Sequence, residues 1–340
     1  MPRGVDDVGE VRVTAPARLH LGFLDMNGGL GRRFGSLGLT LDGLATTIRA
    51  RPADRLRASG PSAERVLKAA QAVCARFRWP ACADLVVDEA IPDHVGLGSG
   101  TQLGLAVGMA LAHLHGRSLT VRRLAAELER GARSGIGIGA FEQGGVILDG
   151  GRGQVDEPPP IIARLPFPDP WRVLLILHRD GQGLHGTAEV QAFRALPPFP
   201  AERAGHLCRL MLMAALPALA EGDAGRFGQA VGELQRTVGD HFAPVQGGRF
   251  TSTEVGDALT WLESEGIPGV GQSSWGPTGF AIVGDARRAE ALLAEARRRW
   301  AGGPLEFRLC RGRNDGAAVD GAPVTFATDR AAGRAALRTS

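Results

Sequence analysis

The run Pro92-Asp93-His94-Val95-Gly96-Leu97-Gly98-Ser99-Gly100-Thr101-Gln102-Leu103-Gly104 is the part of this chain best equipped for chemistry. Gly96, Gly98 and Gly100 fall close together, a Ser and a Thr lie among them, and an apolar helical run follows. Such a loop turns successive backbone N–H groups toward one point, and a helix N-terminus places its dipole behind them. The product is a site for a phosphate or another anion, built from Gly96, Leu97, Gly98, Ser99, Gly100 and Thr101. Ser99 is expected to cap the helix, with Gln102 completing a capping box. The same residues also fit a turn whose role ends at capping. A dinucleotide fingerprint fits poorly, because Pro92-Asp93-His94 separates the preceding strand from the glycines and the third glycine is wrongly spaced. A Walker A loop fails for want of its lysine, since Lys68 is the only lysine in the chain.

Other reactive side chains lie upstream. Arg18 and His20 stand two apart in a strand-like segment, so strand alternation puts them on one face. Asp25, followed by Met-Asn-Gly-Gly, reads either as a turn opener or as a site carboxylate. Arg32 and Arg33, in the Gly28–Gly35 loop, read as a solvated pair or as cations that close over phosphates. Ser134 could cap a turn, and Glu142 fits surface charge better than metal ligation. A second loop, Gly271-Gln272-Ser273-Ser274-Trp275-Gly276-Pro277-Thr278-Gly279, feeds a strand. Its Trp275 fits core packing at least as well as stacking on a ligand ring. His178, His185, His206 and His241 have no metal-ligand spacing and read as structural.

The elements that must position these groups follow from periodicity. Strands are expected at Val11–Ala15, Leu44–Arg51, Asp84–Ala90, Gly144–Asp149, Arg172–His178, Phe280–Val283 and Leu305–Cys310. Helices are expected at 62–78, Leu103–His115, about 120–130 with Thr120 as N-cap, about 202–220, 223–238 and 252–264, and 285–300. The Gly/Pro-rich stretch Gly150–Pro160 reads as a connector. The expected division is 1–165 and 166–312, with 313–340 a flexible tail lacking an apolar face.

Composition narrows the class. The chain has 340 residues, 44% hydrophobic and 22% charged, which suits a globular protein of one or two domains. Net charge is only +3, with no basic block, so nucleic acid is not an expected partner. Lys68, beside Glu64 and Arg65 on an amphipathic helix, is a poor Schiff-base lysine. Cys74, Cys82, Cys208 and Cys310 are scattered and read as reduced thiols. The N-terminus lacks an apolar signal core and no run suits a membrane span, so a cytoplasmic protein with no membrane partner is expected.

Three segments together resemble the GHMP kinase superfamily. They are Ala15-Pro16-Ala17-Arg18-Leu19-His20-Leu21-Gly22, the Gly96 loop, and Gly276-Pro277-Thr278-Gly279-Phe280-Ala281, in the family's order. The resemblance implies an α+β fold of two domains, the first like ribosomal protein S5 domain 2 and the second ferredoxin-like. Kinases of this superfamily commonly read Gly-Leu-Gly-Ser-Ser, and the second Ser ligates Mg²⁺; here that position is Gly100. Many also carry Ser-Gly-x-Asp; the matching segment, Ser134-Gly135-Ile136-Gly137, has Gly137 where the carboxylate belongs.

The chain is instead most similar to one branch that is not a kinase, the β-ribofuranosylaminobenzene 5′-phosphate synthases of methanopterin biosynthesis. The similarity rests on Arg18–Asp25, Phe34-Gly35-Ser36-Leu37-Gly38, His94–Gln102 and Arg133–Gly137. It implies a phosphoribosyltransferase that joins phosphoribosyl pyrophosphate to 4-hydroxy- or 4-aminobenzoate, releases CO₂ and pyrophosphate, and makes a C-riboside. It further implies Mg²⁺, with Thr101 and Asp25 as ligands, and a homodimer. Arg18 would then grip the benzoate carboxylate. His20 would exchange a proton with the para substituent or bond the ribose, and Asp25 would stabilise the oxocarbenium. Arg32, Arg33, Ser134, Ser273, Ser274 and Gly276 would complete the phosphate and ribose contacts. A small-molecule kinase of the same fold and a non-catalytic phosphate-ligand binding protein are the alternatives.

Overall fold

Val11, Val13, Ala15, Ala17, Leu19 and Leu21 are all buried at strand spacing, and they hold β1 (Val11–Asp25) in the centre of the protein. The computed structural model describes residues 9–154, 157–183 and 186–324. Residues 1–8, 155–156 of the connector, 184–185 with His185, and 325–340 therefore lie outside the description.

β1 pairs antiparallel with β2 (Phe34–Arg51) along nearly its whole length, so both strands run far beyond the short segments expected. Pro16 hid this continuation, yet it sits at the first of two register shifts, where no ladder donor is required. β3 (Arg57–Ser59), α1 (Ala63–Phe77) and β4 (Asp84–Glu89) follow, with β4 paired to the second half of β2. α2 (Ser99–Leu114) is buried almost all round; only Gly100, Thr101 and His113 are not, as befits a central helix. α3 (Val121–Glu127) is capped as expected, Thr120 accepting from the Arg123 amide. α4 (Ile136–Glu142) leads to β5 (Val146–Asp149), which pairs with the first half of β2, and β6 (Ile161–Leu165) extends the sheet beyond β5.

β7 (Arg172–His178) opens a second sheet. It is followed by α5 (Gly186–Ala195) and α6 (Ala201–Leu210). A π-turn at Met211–Ala215 and α7 (Leu216–Glu221) then break the single helix expected at 202–220. α8 (Ala224–Gln246) runs past its expected end and packs on β1. α9 (Thr253–Ser264), β8 (Val270–Gln272), β9 (Gly279–Val283), α10 (Ala286–Arg299) and β10 (Leu305–Cys310) complete an antiparallel sheet of order β10-β7-β9-β8. Helices α9 and α10 cover one face of this sheet through Val255, Leu259, Leu262 and Leu292.

Three expectations need correction. Ser99 is not the cap of α2: Gly98 takes that place in the left-handed region, with no side-chain cap bond. Gln102 makes no capping box either, because it is fully buried and donates to the Gly137 carbonyl at 2.7 Å. The segment from residue 313 to 324 is not a free tail. Asn314 exchanges hydrogen bonds with both backbone groups of Phe167. The hairpin β11 (Ala318–Val319) and β12 (Ala322–Pro323) adds to the β1 edge of the first sheet. An apolar face was never needed there, since backbone pairing and the buried Ala317 anchor it. Among the described residues no helix is long and apolar enough to cross a membrane.

Candidate active site

The glycine loop spends its carbonyls on the protein and keeps its amides. The carbonyls of Val95, Gly96, Leu97 and Gly98 accept, in turn, from the Thr278 amide, the Ser273 hydroxyl with the Arg18 guanidinium, the Arg18 amide, and the Thr101 and Gln102 amides. None of the amides of residues 96–100 donates within the described residues. Gly96 and Gly98 have φ of 90° and 84°, which L side chains rarely adopt. A Cβ at Gly96 would also fall 2.3 Å from the Ser273 carbonyl oxygen. The result is a row of free donors at the start of α2, suited to an anion.

β1 and the second loop lock onto this cradle. Ser273, fully buried, accepts from the His20 amide at 3.0 Å and donates to the Gly96 carbonyl at 2.8 Å. Ser274 donates its amide to the His20 carbonyl, and the Gly276 amide closes the turn onto Ser273. The peptide bond Gly276–Pro277 is cis. The structure thus brings together Arg18, His20, the Gly96 loop, Ser273, Ser274 and Gly276.

Arg18 donates through Nη1 to the Gly96 carbonyl at 2.6 Å, while its buried Nε has no partner. Burial pulls its pKa down to about 10 against the opposing pull of Glu189, so it stays charged at neutral pH. His20 is buried, with Nε2 unpartnered and its ring 4.5 Å from that of Phe23. Burial, helped by Arg18 and Arg133, pushes its pKa down to about 3. It is therefore a neutral hydrogen-bonding group at physiological pH rather than a proton donor.

The other expected residues lie differently. Asp25 Oδ1 accepts from the Asn27 and Gly28 amides, which makes it the turn opener. Arg32 donates to the carbonyls of Gly150 and Gly151, and Arg33 donates to that of Met26 and lies over the Phe34 ring. Neither reaches the glycine loop in this arrangement. Ser134 donates to Asp149 and accepts from the Ile136 amide at the start of α4. Trp275 is a buried core residue, stacked on Phe242. For Mg²⁺, Asp25 and Thr101 make a poor donor set. Among the described residues no group of three or more His, Cys, Asp or Glu could hold a metal, and Asp25 is committed to its turn.

Two neighbours escaped the sequence reading. Arg133 pairs with Glu189 at 2.5 Å, and Glu189 accepts from the Trp275 indole at 3.0 Å. Arg133 belongs to the Arg133–Gly137 string, which was the available signal. Glu189 sits on α5, a helix the pattern did not reveal, and carried none.

Comparison with known proteins decides the family. The model of the GHMP kinases N-terminal domain matches residues 64–145, and that of the GHMP kinases C-terminal domain matches 215–302. A β-ribofuranosylphenol 5′-phosphate synthase of Methanothermobacter thermautotrophicus is 32% identical over 336 residues, spanning 91% of this chain and 98% of its own. One from Archaeoglobus fulgidus is 35% identical, spanning 80% and 88%. The chain belongs to the β-ribofuranosylphenol 5′-phosphate synthase family. Among solved structures, a Lactococcus lactis galactokinase superposes with a TM-score of 0.66 at 16% identity, covering 91% of this chain and 95% of its own. A Staphylococcus aureus mevalonate diphosphate decarboxylase does so at 0.61 and 15%, covering 92% and 98%. The fold is the two-domain α+β GHMP fold.

In this synthase-family chain the two glycines at kinase positions have different surroundings. A Cβ on Gly137 would stand 3.0 Å from Thr101 Cγ2, so α4 approaches α2 through that glycine. A Cβ on Gly100 would lie 3.6 Å from Arg65 Nη2 and 3.8 Å from Arg130 Nη1. Guanidinium groups thus face the position where the superfamily's kinases place a metal-ligating serine.

Proposed function

We propose that this protein makes a C-riboside 5′-phosphate from phosphoribosyl pyrophosphate and 4-hydroxybenzoate, with release of CO₂ and pyrophosphate, in methanopterin biosynthesis. The relatives are β-ribofuranosylphenol 5′-phosphate synthases, and the phenol favours the hydroxyl over the amino substituent. The observation that carries the reading is the pairing of an intact anion cradle with a closed kinase position. Among the described residues the amides of 96–100 are free, while Gly137 has no carboxylate and packs on Thr101, whose Cγ2 a Cβ there would meet at 3.0 Å.

The chemistry needs no external oxidant or reductant. The C1–oxygen bond of the ribose breaks, and its electron pair leaves with pyrophosphate. The ring carbon bearing the carboxylate forms the new bond to C1. The carboxylate carbon then departs as CO₂, and its bonding pair restores the aromatic ring. In this reading the loop amides stabilise the leaving pyrophosphate. Arg18, charged and with a free Nε, orients the benzoate carboxylate. His20, neutral, accepts a hydrogen bond from the para hydroxyl or a ribose hydroxyl through Nε2. The aromatic groups beside His20, Phe23, Phe242 and Trp275, form the side assigned to the ring; the cavity they line measures about 20 Å³ and must widen to take it. Arg32, Arg33, Ser134, Ser273, Ser274 and Gly276 remain assigned to the phosphate and ribose side, with Arg32 and Arg33 released from their carbonyls on binding. Mg²⁺ is assigned to the diphosphate itself and not to a cage of side chains.

The reading further places the domain boundary at residue 165, a homodimer as the working unit, and the four free cysteines in a reducing cytoplasm. The test is incubation with phosphoribosyl pyrophosphate and carboxyl-labelled 4-hydroxybenzoate. Labelled CO₂ in equal amount to pyrophosphate is expected. ATP-dependent phosphorylation of an alcohol, with no CO₂ from either benzoate, would overturn it.

A further inference from the structure

A cavity of about 450 Å³ opens beside Gly100, on the flank of the first turn of α2. Its cationic lining is Arg65, Lys68, Arg76 and Arg130, and its acidic lining is Glu127 and Glu129. Arg76 and Glu127 pair with each other. Lys68, the only lysine of the chain, lies one helical turn from Arg65 and shares its face.

Two of these cations are presented to the loop. Arg65 is moored by Nη1 to Asp93, whose other oxygen accepts from the Ser62 hydroxyl, and this leaves Nη2 facing Gly100. Arg130 lies along α2 over Gly100 and Gly104, one turn apart, each of whose missing Cβ atoms leaves 3.8 Å to its guanidinium. Among the described residues no hydrogen bond or ion pair engages the Arg130 guanidinium. Burial first, and then the facing Arg130, hold the Arg65 pKa below its usual value. Two guanidinium groups brought to one glycine repel each other until an anion sits between them.

We infer that Arg65 and Arg130 form a guanidinium clamp that, with the free amide of Gly100, binds the diphosphate of the substrate without requiring a metal. This rests on the proposed function and assigns the diphosphate, not the 5′-phosphate, to the Gly100 end of the cradle. Gly100 serves the clamp by leaving the space that a serine side chain would fill. Lys68 lies farther along the same face and supplies long-range attraction.

The experiment is calorimetric titration of the full chain with inorganic pyrophosphate and, separately, ribose 5-phosphate, both in EDTA. Arg130→Gln is the main variant, because this exposed side chain has no partner to lose; its melting temperature is the folding control. Wild type is expected to bind pyrophosphate without metal. R130Q should bind it about ten- to hundredfold more weakly, with ribose 5-phosphate binding unchanged. Arg130→Lys should recover part of the loss. Unchanged pyrophosphate affinity in R130Q, loss of ribose 5-phosphate binding instead, or no metal-free pyrophosphate binding by wild type would each overturn the clamp. The parent reading is tested apart, by CO₂ release from wild type. CO₂ release with an unaltered R130Q sinks the clamp alone. Weakened pyrophosphate binding in R130Q without CO₂ release in wild type upholds the clamp and sinks the parent reading.

Discussion

Gly137 is packed so tightly on Thr101 that a Cβ would stand 3.0 Å from the threonine Cγ2. The carbonyl of Gly137 also accepts from the buried Gln102 amide group, which fixes α4 against α2. Gly137→Asp therefore requires Thr101 to give way by a few tenths of an ångström. It should destabilise the protein by about 1–3 kcal/mol through overpacking and yield no ATP phosphotransfer. Chemical denaturation and an ATP turnover assay check both halves. A stable G137D with phosphotransfer activity would reverse the reading of this glycine.

Gly96 tests the cradle directly. A side chain there meets the Ser273 backbone oxygen at 2.3 Å and requires φ near 90°. Gly96→Ala should separate the glycine loop from the second loop. Pyrophosphate affinity should fall by about tenfold or more, as a lost charged hydrogen bond would give. An unchanged binding isotherm in the folded variant would show that the cradle tolerates a shifted loop.

How much of this was legible beforehand depended on where each constraint lives. The glycine loop, the strand position of Arg18 and His20, and the second loop at Ser273 announce themselves through residue type and spacing, and the structure joins them. The cap of α2 did not, because the chain used backbone φ at Gly98 in place of the Ser99 hydroxyl. The terminal hairpin was hidden for a similar reason: Asn314, Ala317 and the short β11 and β12 are held by long-range backbone pairing that leaves no periodic apolar stripe. Arg65 and Arg130 lie far apart in sequence and come to the same side of Gly100 only through the fold. Asp25 left two readings open in the sequence, and the structure shows one of its oxygens, Oδ1, opening the turn at Asn27 and Gly28.

The acid limb of stability should carry the signature of His20. Its pKa is about 3 in the fold against an ordinary value near 6.5, so between those values the unfolded chain binds the extra proton. Stability is then full above about pH 6.5 and falls as pH drops toward 3, by up to about 1.4 kcal/mol per unit in that window. Asp149 works the other way: burial raises it to about 6, so its contribution is full below about 3.8 and is lost as pH rises through 6. Comparing wild type with His20→Gln cancels Asp149, which both retain. The expected difference is that wild type loses stability relative to H20Q as pH falls from 6 to 4, by up to about 1.4 kcal/mol per unit. Identical slopes in denaturant titrations would remove the buried neutral imidazole from the account.

Arg18 has two partners to satisfy, and a substitution can tell them apart. Nη1 holds the Gly96 carbonyl, so part of its role is to brace the loop; Nε is buried and free, so part is left for a ligand. Arg18→Lys keeps the charge but loses the planar fork that a carboxylate recognises. If Arg18 only braced the loop, R18K would weaken pyrophosphate and benzoate use together. If it also orients the benzoate, kcat/KM for 4-hydroxybenzoate should fall by about a hundredfold, in the range of 2–5 kcal/mol for a severed buried charge contact, while pyrophosphate affinity changes far less. Steady-state kinetics with benzoate varied at saturating phosphoribosyl pyrophosphate, set beside pyrophosphate titration of the same variant, separates the two. Parallel losses would confine Arg18 to the loop and leave the carboxylate to Arg133, the other cation whose charge reaches His20.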